Sequence, residues 1–507
     1  MGSESKQQGV SSSDAAVNSS KEAASQPQAA SFALKGTSEK SAAGTDVKDD
    51  GRSLYQKRIK IYPRAIKNGW FDRWRWALVW FTQIIFYGTA WLQWNDRQAV
   101  LFHLTERKFY IFGFVLWPQD FIYLTGLLII SAYALFLFTA IAGRLFCGYA
   151  CPQTVYTEIF TWVERLIEGD RHKRMRLDES PWDGRKIGLR LAKFSIWAVI
   201  GLWTGFTFVG YFTPIRELLS EVVHLDVSGW SLFWMLFYAG FTILQAGFMR
   251  EQVCKYMCPY ARFQSSMFDR DTLVVTYDAA RGDPRGSRPR KLDHRSQGFG
   301  DCVDCGVCVQ VCPTGIDIRN GLQYECIGCG ACIDGCDDIM EKMNYPRGLI
   351  RYTTENALEG KYPDKHVVKH ILRPRTLIYT VVLFVIVGAW IGTLINRNPL
   401  KVDVIRDRGV LAREIEGGEI ANVYQLKIMN TDEAPHRYRV MVNGIPGIHV
   451  QGAQLIEVEA ITTRAVAIEV AAPMGSGERG SNKVEFVVES LESPVQSTSE
   501  KSVFYLP

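Results

Sequence analysis

Residues 302–313 read Cys302-Val-Asp-Cys305-Gly-Val-Cys308-Val-Gln-Val-Cys312-Pro313, and residues 326–336 read Cys326-Ile-Gly-Cys329-Gly-Ala-Cys332-Ile-Asp-Gly-Cys336. Both follow C-x2-C-x2-C-x3-C. Short loops let three soft thiolates close on one iron–sulfur cube, while the fourth cysteine of each run crosses to the other cube, as in two-cluster ferredoxins. The rule assigns Cys302, Cys305, Cys308 and Cys336 to one 4Fe-4S cluster, and Cys326, Cys329, Cys332 and Cys312 to the second. Zinc is the plain alternative for paired C-x2-C. Two complete runs with Gly306, Gly328 and Gly330 in their loops favour clusters. The second run carries Asp337 where the first carries Pro313, which weakens the turn but removes no ligand. A chain so equipped moves electrons one at a time.

Very apolar stretches alternate with charged ones on both sides of these runs. Five segments approach the roughly 20 residues that a bilayer requires: Trp74–Trp94, Phe121–Ala142, Lys193–Phe212, Gly229–Met249 and Leu377–Ile395. A sixth patch, Phe109–Trp117, is too short and reads as interfacial. Trp74, Trp76, Trp91, Trp94, Trp117 and Trp230 sit at segment ends, where amphipathic rings favour the headgroup layer. Lys and Arg crowd 51–75, 143–192 and 250–295, whereas Thr213–Ser228 holds only Arg216 beside Glu217, Glu221 and Asp226. The positive-inside rule then places the N-terminus and the cysteine-rich insert in the cytoplasm and the C-terminal part outside. A reducing cytoplasm suits free cysteines and clusters.

The expected fold is an α-helical membrane protein of about five transmembrane helices, with an inserted two-cluster ferredoxin domain and a C-terminal immunoglobulin-like β-sandwich. Its parts are a disordered tail (1–50), a four-helix transmembrane region (51–259), a ferredoxin-like domain (260–376), a fifth helix (377–396) and the sandwich (397–507). The tail is rich in Ser, Ala, Lys and Gln and has no signal-peptide pattern. The sandwich is read from alternating runs Val423–Met429, His436–Val442, Gln454–Val458, Ala465–Val470 and Lys483–Val488, broken by turn residues.

The remaining four cysteines form a repeated motif. Cys147-Gly-Tyr149-Ala-Cys151-Pro152 follows the second apolar segment, and Cys254-Lys-Tyr256-Met-Cys258-Pro259 follows the fourth, 107 residues later. This reads as a duplicated helical hairpin. The spacing places both sulfurs of a pair on one helix face, with proline ending or kinking the helix. Symmetric packing would gather four thiols at the membrane surface beside the ferredoxin insert. Cu(I), a further cluster or a reversible disulfide all suit such a set; buried helix-end cysteines are the bland alternative. Arg144, Arg250 and Lys255 either lower the thiol pKa values or form the ordinary cationic flank of a membrane helix. Tyr149 and Tyr256 read as interfacial anchors or as stations on an electron path.

Some chemistries are disfavoured. The five segments contain no histidine, against a membrane haem held by paired histidines. No glycine-rich phosphate loop follows a strand. His366 and His370 read as a solvated helix face rather than a metal pair. A net charge of +5 gives no reason to expect nucleic acid.

Together, the two four-cysteine runs, the twin C-x-Y-x-C-P motifs, the apolar segments and the β-rich tail resemble the cytochrome c oxidase accessory protein family, called CcoG, FixG or RdxA. The resemblance runs from about Arg52 to Pro507. It implies a bacterial inner-membrane protein that reduces Cu(II) to Cu(I) for assembly of a cbb3-type oxidase. Its implied partners are membrane lipid, oxidase assembly factors, copper chaperones and an electron donor, with a homodimer also open. By motif, Cys147, Cys151, Cys254 and Cys258 become the copper-reducing or copper-binding site, and the eight ferredoxin-type cysteines hold the clusters that feed it. Two other readings stay open: a polyferredoxin conduit from quinol to a partner reductase, and a redox-sensing assembly scaffold.

Overall fold

Long apolar helices frame the structure, a computed structural model that describes residues 60–66, 69–290, 296–363, 372–407, 409, 412–415, 417–452, 455–492 and 495–507. The tail 1–50, and His366 and His370, lie outside the described residues. The principal helices are α1 (Trp70–Thr89), α2 (Phe121–Ala142), α3 (Leu145–Tyr149), α4 (Pro152–Glu168), α5 (Arg171–Glu179), α6 (Gly184–Val209), α7 (Ile215–His224), α8 (Gly229–Thr242), α9 (Pro259–Met267), α10 (Val307–Val311), α11 (Ala331–Met343) and α12 (Pro374–Ile395).

Among the described residues, four helical stretches are long and apolar enough to cross a membrane, rather than the five expected: Pro118–Ala142, Gly184–Val209, Gly229–Met249 and Pro374–Ile395. The expected first segment, Trp74–Trp94, is displaced. Its helix α1 starts earlier and carries Asp72, Arg73 and Arg75 in its first turns, while Gln93–Trp94 turn into a short β-ribbon. Even so, α1 runs alongside the others. Its first turn is capped by Asp334 of α11, whose carboxylate accepts from the backbone N–H groups of Phe71 (3.2 Å) and Asp72 (2.9 Å). Near its far end, Tyr211, which follows α6, donates to the Phe86 carbonyl (2.6 Å).

Helices α2 and α12 lie antiparallel. Arg397, just past α12, meets Asp120 before α2 (2.7 Å), and Arg373, before α12, donates to the Ala140 carbonyl (2.9 Å). At 22 residues, α2 is about 33 Å long, matching a hydrocarbon core. Helix α8 nests against Gly201 and Gly205 of α6; a Cβ on Gly205 would lie 2.2 Å from the Met235 carbonyl, the close approach typical of membrane helix pairs. Outward-facing Ile122, Leu128, Phe384 and Val385 are exposed, as helix faces in lipid are.

The strands are β1 (Val100–His103), β2 (Lys108–Ile111), β3 (Phe114–Leu116), β4 (Val274–Tyr277), β5 (Ile350–Thr353), β6 (Leu400–Arg406), β7 (Arg413–Ile415), β8 (Glu419–Asn430), β9 (His436–Asn443), β10 (His449–Gln451), β11 (Leu455–Val458), β12 (Thr463–Pro473), β13 (Gly480–Ser490) and β14 (Ser497–Leu506). The last nine form an immunoglobulin-like sandwich. One sheet has the order β10-β12-β8-β6 with β7 on β8, and the other has the order β11-β9-β13-β14. Alternate residues of β13, Val484, Phe486 and Val488, point into a core shared with Tyr424, Tyr438 and Phe504.

The patch Phe109–Trp117 falls mostly in strands β2 and β3 of a small meander. Its Tyr110, Val115 and Trp117 pack with Leu101 on Met429 of the sandwich. Buried Asp120 binds Arg397 and Lys401 at the same place. The sandwich and meander therefore cap one end of the helices, and the cysteine-rich insert, with β4 and β5 paired beside it, occupies the other.

Candidate functional site

Each four-cysteine run begins as a loop and then enters a helix. Gly306 and Gly330 stand just before α10 and α11 with left-handed backbone (φ 66° and 73°), a conformation that glycine adopts freely. A Cβ on Gly330 would strike the Phe71 ring at 2.6 Å. The first run stops its helix at Val311, with Cys312 and Pro313 leaving it. The second does not. Cys336 and Asp337 lie inside α11, which continues to Met343. A proline there would break the helix, so the departure at Asp337 has a structural cause. Its carboxylate instead accepts from the Gly348 N–H (2.9 Å).

The eight cysteines surround two cavities. Cys302, Cys305, Cys308 and Cys336 line one, against Arg319, Met340 and Ile350. Cys312, Cys326, Cys329 and Cys332 line the other, with Cys308 on the wall between them. Burial, with crowding by neighbouring thiols added to it, pushes Cys326 up to about 12 and Cys332 well above an ordinary thiol. Crowded buried thiols of this kind fit iron–sulfur clusters, because the iron supplies the positive charge that lets them ionise together. All twelve cysteines are free.

The twin motifs depart from the expected single helix face. Helix α3 ends at Tyr149, so Cys147 lies in it while Cys151 caps α4, with Pro152 as the first residue of α4. Similarly, Cys254 lies in a π-helical turn Val253–Met257, and Cys258 caps α9 ahead of Pro259. The prolines start helices here, where a missing N–H costs nothing. Each motif follows the same kink: Gly143 has φ 51°, ψ −111° and Arg250 has φ 47°, ψ −116°. These residues are 107 positions apart, like the cysteines, so the duplication persists in the backbone.

The four motif cysteines are half-buried and act on one another electrostatically. Burial, then Cys151, pushes Cys147 up to about 11; burial and the three neighbouring thiols push Cys254 up to about 12. The cationic residues do not hold Cys147, Cys151 and Cys254 as thiolates. Arg144 tempers the rise, but its buried guanidinium is anchored on carbonyls, those of Tyr324, Cys326 (3.2 Å) and Ala261 (2.8 Å). Arg250 pairs with Glu164 (2.7 Å) and Lys255 with Glu325 (3.6 Å).

The motif helix docks directly on the second cysteine run. Tyr149, expected at an interface, is buried, and its hydroxyl donates to the Cys329 carbonyl (3.3 Å). Cys147 packs in one apolar cluster with Ile327, Cys329 and Cys332. A Cβ on Gly148 would come within 2.9 Å of Cys329 Cα and of the Gly328 and Ile327 carbonyls. Tyr256, by contrast, is exposed. Gln264, which no sequence pattern marked, exchanges hydrogen bonds with the Cys147 thiol (3.5–3.6 Å). Tyr352, also unmarked, donates to the Gly328 carbonyl. Beside Cys254, Pro313 and Ile327 opens a cavity whose lining includes Arg75, Glu158, Arg250 and Glu251.

The apolar helices and the paired cysteine cavities define a membrane-associated iron–sulfur redox protein. Comparisons agree: residues 249–355 match the 4Fe-4S dicluster domain, 124–172 a 4Fe-4S binding domain, and 390–507 the IG-like fold at the C-terminal of FixG. Nitrogen fixation protein FixG of Rhizobium meliloti is 40% identical over 427 residues, 78% of this chain and 81% of that protein. Protein RdxA of Cereibacter sphaeroides is 40% identical over 435 residues, 83% and 91% of the two chains. The ferredoxin-type protein NapH of Escherichia coli is 24% identical, covering 37% of this chain and 64% of its own. The chain belongs to the FixG/RdxA family.

Proposed function

We propose that this protein is a membrane-bound iron–sulfur oxidoreductase that delivers single electrons from its two clusters to the twin C-x-Y-x-C-P cysteines, with Cu(II) as the acceptor. The cluster ligands are those of the crossed scheme: Cys302, Cys305, Cys308 and Cys336, then Cys326, Cys329, Cys332 and Cys312. The observation that carries this reading is the direct seating of α3 on the second cysteine run, through Gly148 and the Tyr149–Cys329 hydrogen bond. Cys147 packs against the same apolar cluster as Cys329 and Cys332 of the second cavity, so packed protein connects the two. Soft sulfur favours Cu(I) over Cu(II), so a thiol-rich end point helps the reduction. The Cu(I) formed would serve assembly of a cbb3-type oxidase. On this reading the cluster end faces the cytoplasm and the sandwich lies outside the inner membrane, an orientation supported by the positive-inside rule.

The test is anaerobic. Reduced protein, freed of excess reductant, is mixed with Cu(II) and a Cu(I)-specific chelator, in wild type and in a variant with Cys147, Cys151, Cys254 and Cys258 all changed to Ser. Cu(I) formation as the clusters reoxidise, lost in a variant that keeps its two ferredoxin-type clusters, supports the reading. Equal behaviour of the two proteins refutes it. A second reading, a quinol-fed conduit, draws on the cavity beside Cys254, whose mixed lining of apolar residues, carboxylates and arginines offers a place for a quinol ring. Reduction of the clusters by a quinol analogue is its test.

A further inference from the structure

Arg144 is only 7% exposed, and its guanidinium donates to three backbone carbonyls, those of Tyr324, Cys326 (3.2 Å) and Ala261 (2.8 Å). It also lies over the Tyr324 ring, 5.1 Å from the centroid. Among the described residues it makes no ion pair. A guanidinium keeps its charge when buried, and a buried charge is costly unless an anion stands by it.

The anion that the fold offers is the second cluster. Cys312, Cys326, Cys329 and Cys332 surround its cavity, and a cube held by four thiolates is net negative. Arg144 bonds the carbonyl of one of those ligands, and a Cβ on Gly328 would lie 3.3 Å from the Arg144 backbone. Arg144, Cys326 and Gly328 line one small cavity on that side of the loop.

Other arginines near the two cavities are neutralised or screened. Arg75 pairs with Asp72 (2.7 Å) and Glu158 (3.8 Å). Arg319, on the wall of the first cavity, pairs with Asp317 (2.7 Å) and Asp304. Arg288 reaches the Cys302 carbonyl (3.4 Å), but from a half-exposed position where water screens it. Asp337 adds a carboxylate next to Cys336. Two sites with one ligand spacing therefore stand in different fields, the second the more positive.

The repeat shows that the kink itself does not require this arginine. The equivalent position, 107 residues on, is Glu251, which accepts from Gln252 Nε2 (3.0 Å) and lines the cavity beside Cys254. The cation belongs to the half that docks on the second run.

We propose that Arg144 is the counter-cation and a positioning residue of the second cluster, fixing its ligand loop through the Tyr324 and Cys326 carbonyls and raising its reduction potential above that of the first. Net charge around a cluster is one of the levers that set its potential, and positive charge favours the more negative, reduced state. One electron then leaves the first site as one enters the second, with no bond or proton changed. It rests on the side that packs against Cys147. The inference rests on the electron-relay reading only for that direction of flow.

The test is an anaerobic redox titration of the full-length protein in detergent, followed by electron paramagnetic resonance with no copper present. Wild type should show two clusters with separate midpoints. Arg144→Gln, which keeps hydrogen-bond donors but not the charge, should move the higher midpoint to a more negative potential and leave the lower one in place. Arg144→Lys should hold the wild-type midpoints yet melt at a lower temperature, because an ammonium lacks the fork that spans the carbonyls. Unchanged midpoints in an iron-replete Arg144→Gln overturn the inference, and so does a shift confined to the lower midpoint. Should that variant fail to load iron, wild type still decides, since two clusters titrating at one potential overturn the inference. Failure of Cu(II) reduction would leave the midpoints as they are and count against the copper reading alone.

Discussion

Gly148→Ala is the sharpest perturbation of the seam between the motif and the cluster loop. The added Cβ would meet three backbone atoms at 2.9 Å, where ordinary contact begins at 3.4 Å. Neither side offers a flexible side chain that can swing away. Helix α3 must therefore lift by about half an ångström, an overpacking cost of ~1–3 kcal/mol. The Tyr149–Cys329 hydrogen bond, already 3.3 Å long, would stretch beyond useful length and forfeit ~0.5–1.5 kcal/mol more. The variant should keep its iron, melt at a lower temperature, and reoxidise its reduced clusters with Cu(II) more slowly than wild type in stopped flow. Gly188→Ala on α6 is the control, since its Cβ meets nothing within 4 Å; it should gain ~0.5–1 kcal/mol from helix propensity. Wild-type melting and wild-type electron delivery in Gly148→Ala would show that the seam carries neither stability nor electrons.

Asp337→Pro, which restores the usual proline after the fourth cysteine, should destabilise the insert by ~3 kcal/mol because it falls inside α11; circular dichroism of the melt checks it. Glu164 is opposed by its own burial, but Arg250, Lys193 and Arg174 hold its carboxyl below the usual range. That stability is complete above about pH 4.5 and is lost as pH falls through the lowered folded value. Glu164→Gln should flatten this acid dependence in melting curves and cost ~3–5 kcal/mol at neutral pH, since it strands buried cations. Asp120→Asn should loosen the sandwich from the helix end by a similar ~3–5 kcal/mol through the loss of Arg397 and Lys401, and limited proteolysis should then cut between α12 and β6. Arg250→Gly should be more stable than Arg250→Ala, although glycine is ordinarily the poorer residue near a helix. Both lose the Glu164 pair, but only glycine relieves a φ of 47°, worth ~1–3 kcal/mol; paired thermal melts decide it.

The features that were legible in the sequence are those with a short period. Cysteine spacing marked the residues that line the two cavities, and strand alternation marked the sandwich, because in both cases a local rule fixes the geometry. What was missed depends on contacts between distant segments. The charges in the first turns of α1 read as a flank outside a span, yet they belong to the helix, because Asp334 of α11 caps it from 263 residues away. Tyr149 has the composition of an interfacial anchor, and only the seating of α3 on the cluster loop buries it. The repeat gave its largest return at a position without a sequence signature. Gly143 and Arg250 differ in every chemical respect but share one backbone kink. Glycine adopts it freely, whereas arginine must be held there, and the Glu164 pair and the Gly247 carbonyl hold it. The second half thus keeps a strained residue where the first half has a relaxed one, because Arg250 also ties the kink to the buried charge network of α4. The two motifs share a frame, but they are fastened to different neighbours: the first to the cluster loop through Gly148 and Tyr149, the second to α4 through Arg250.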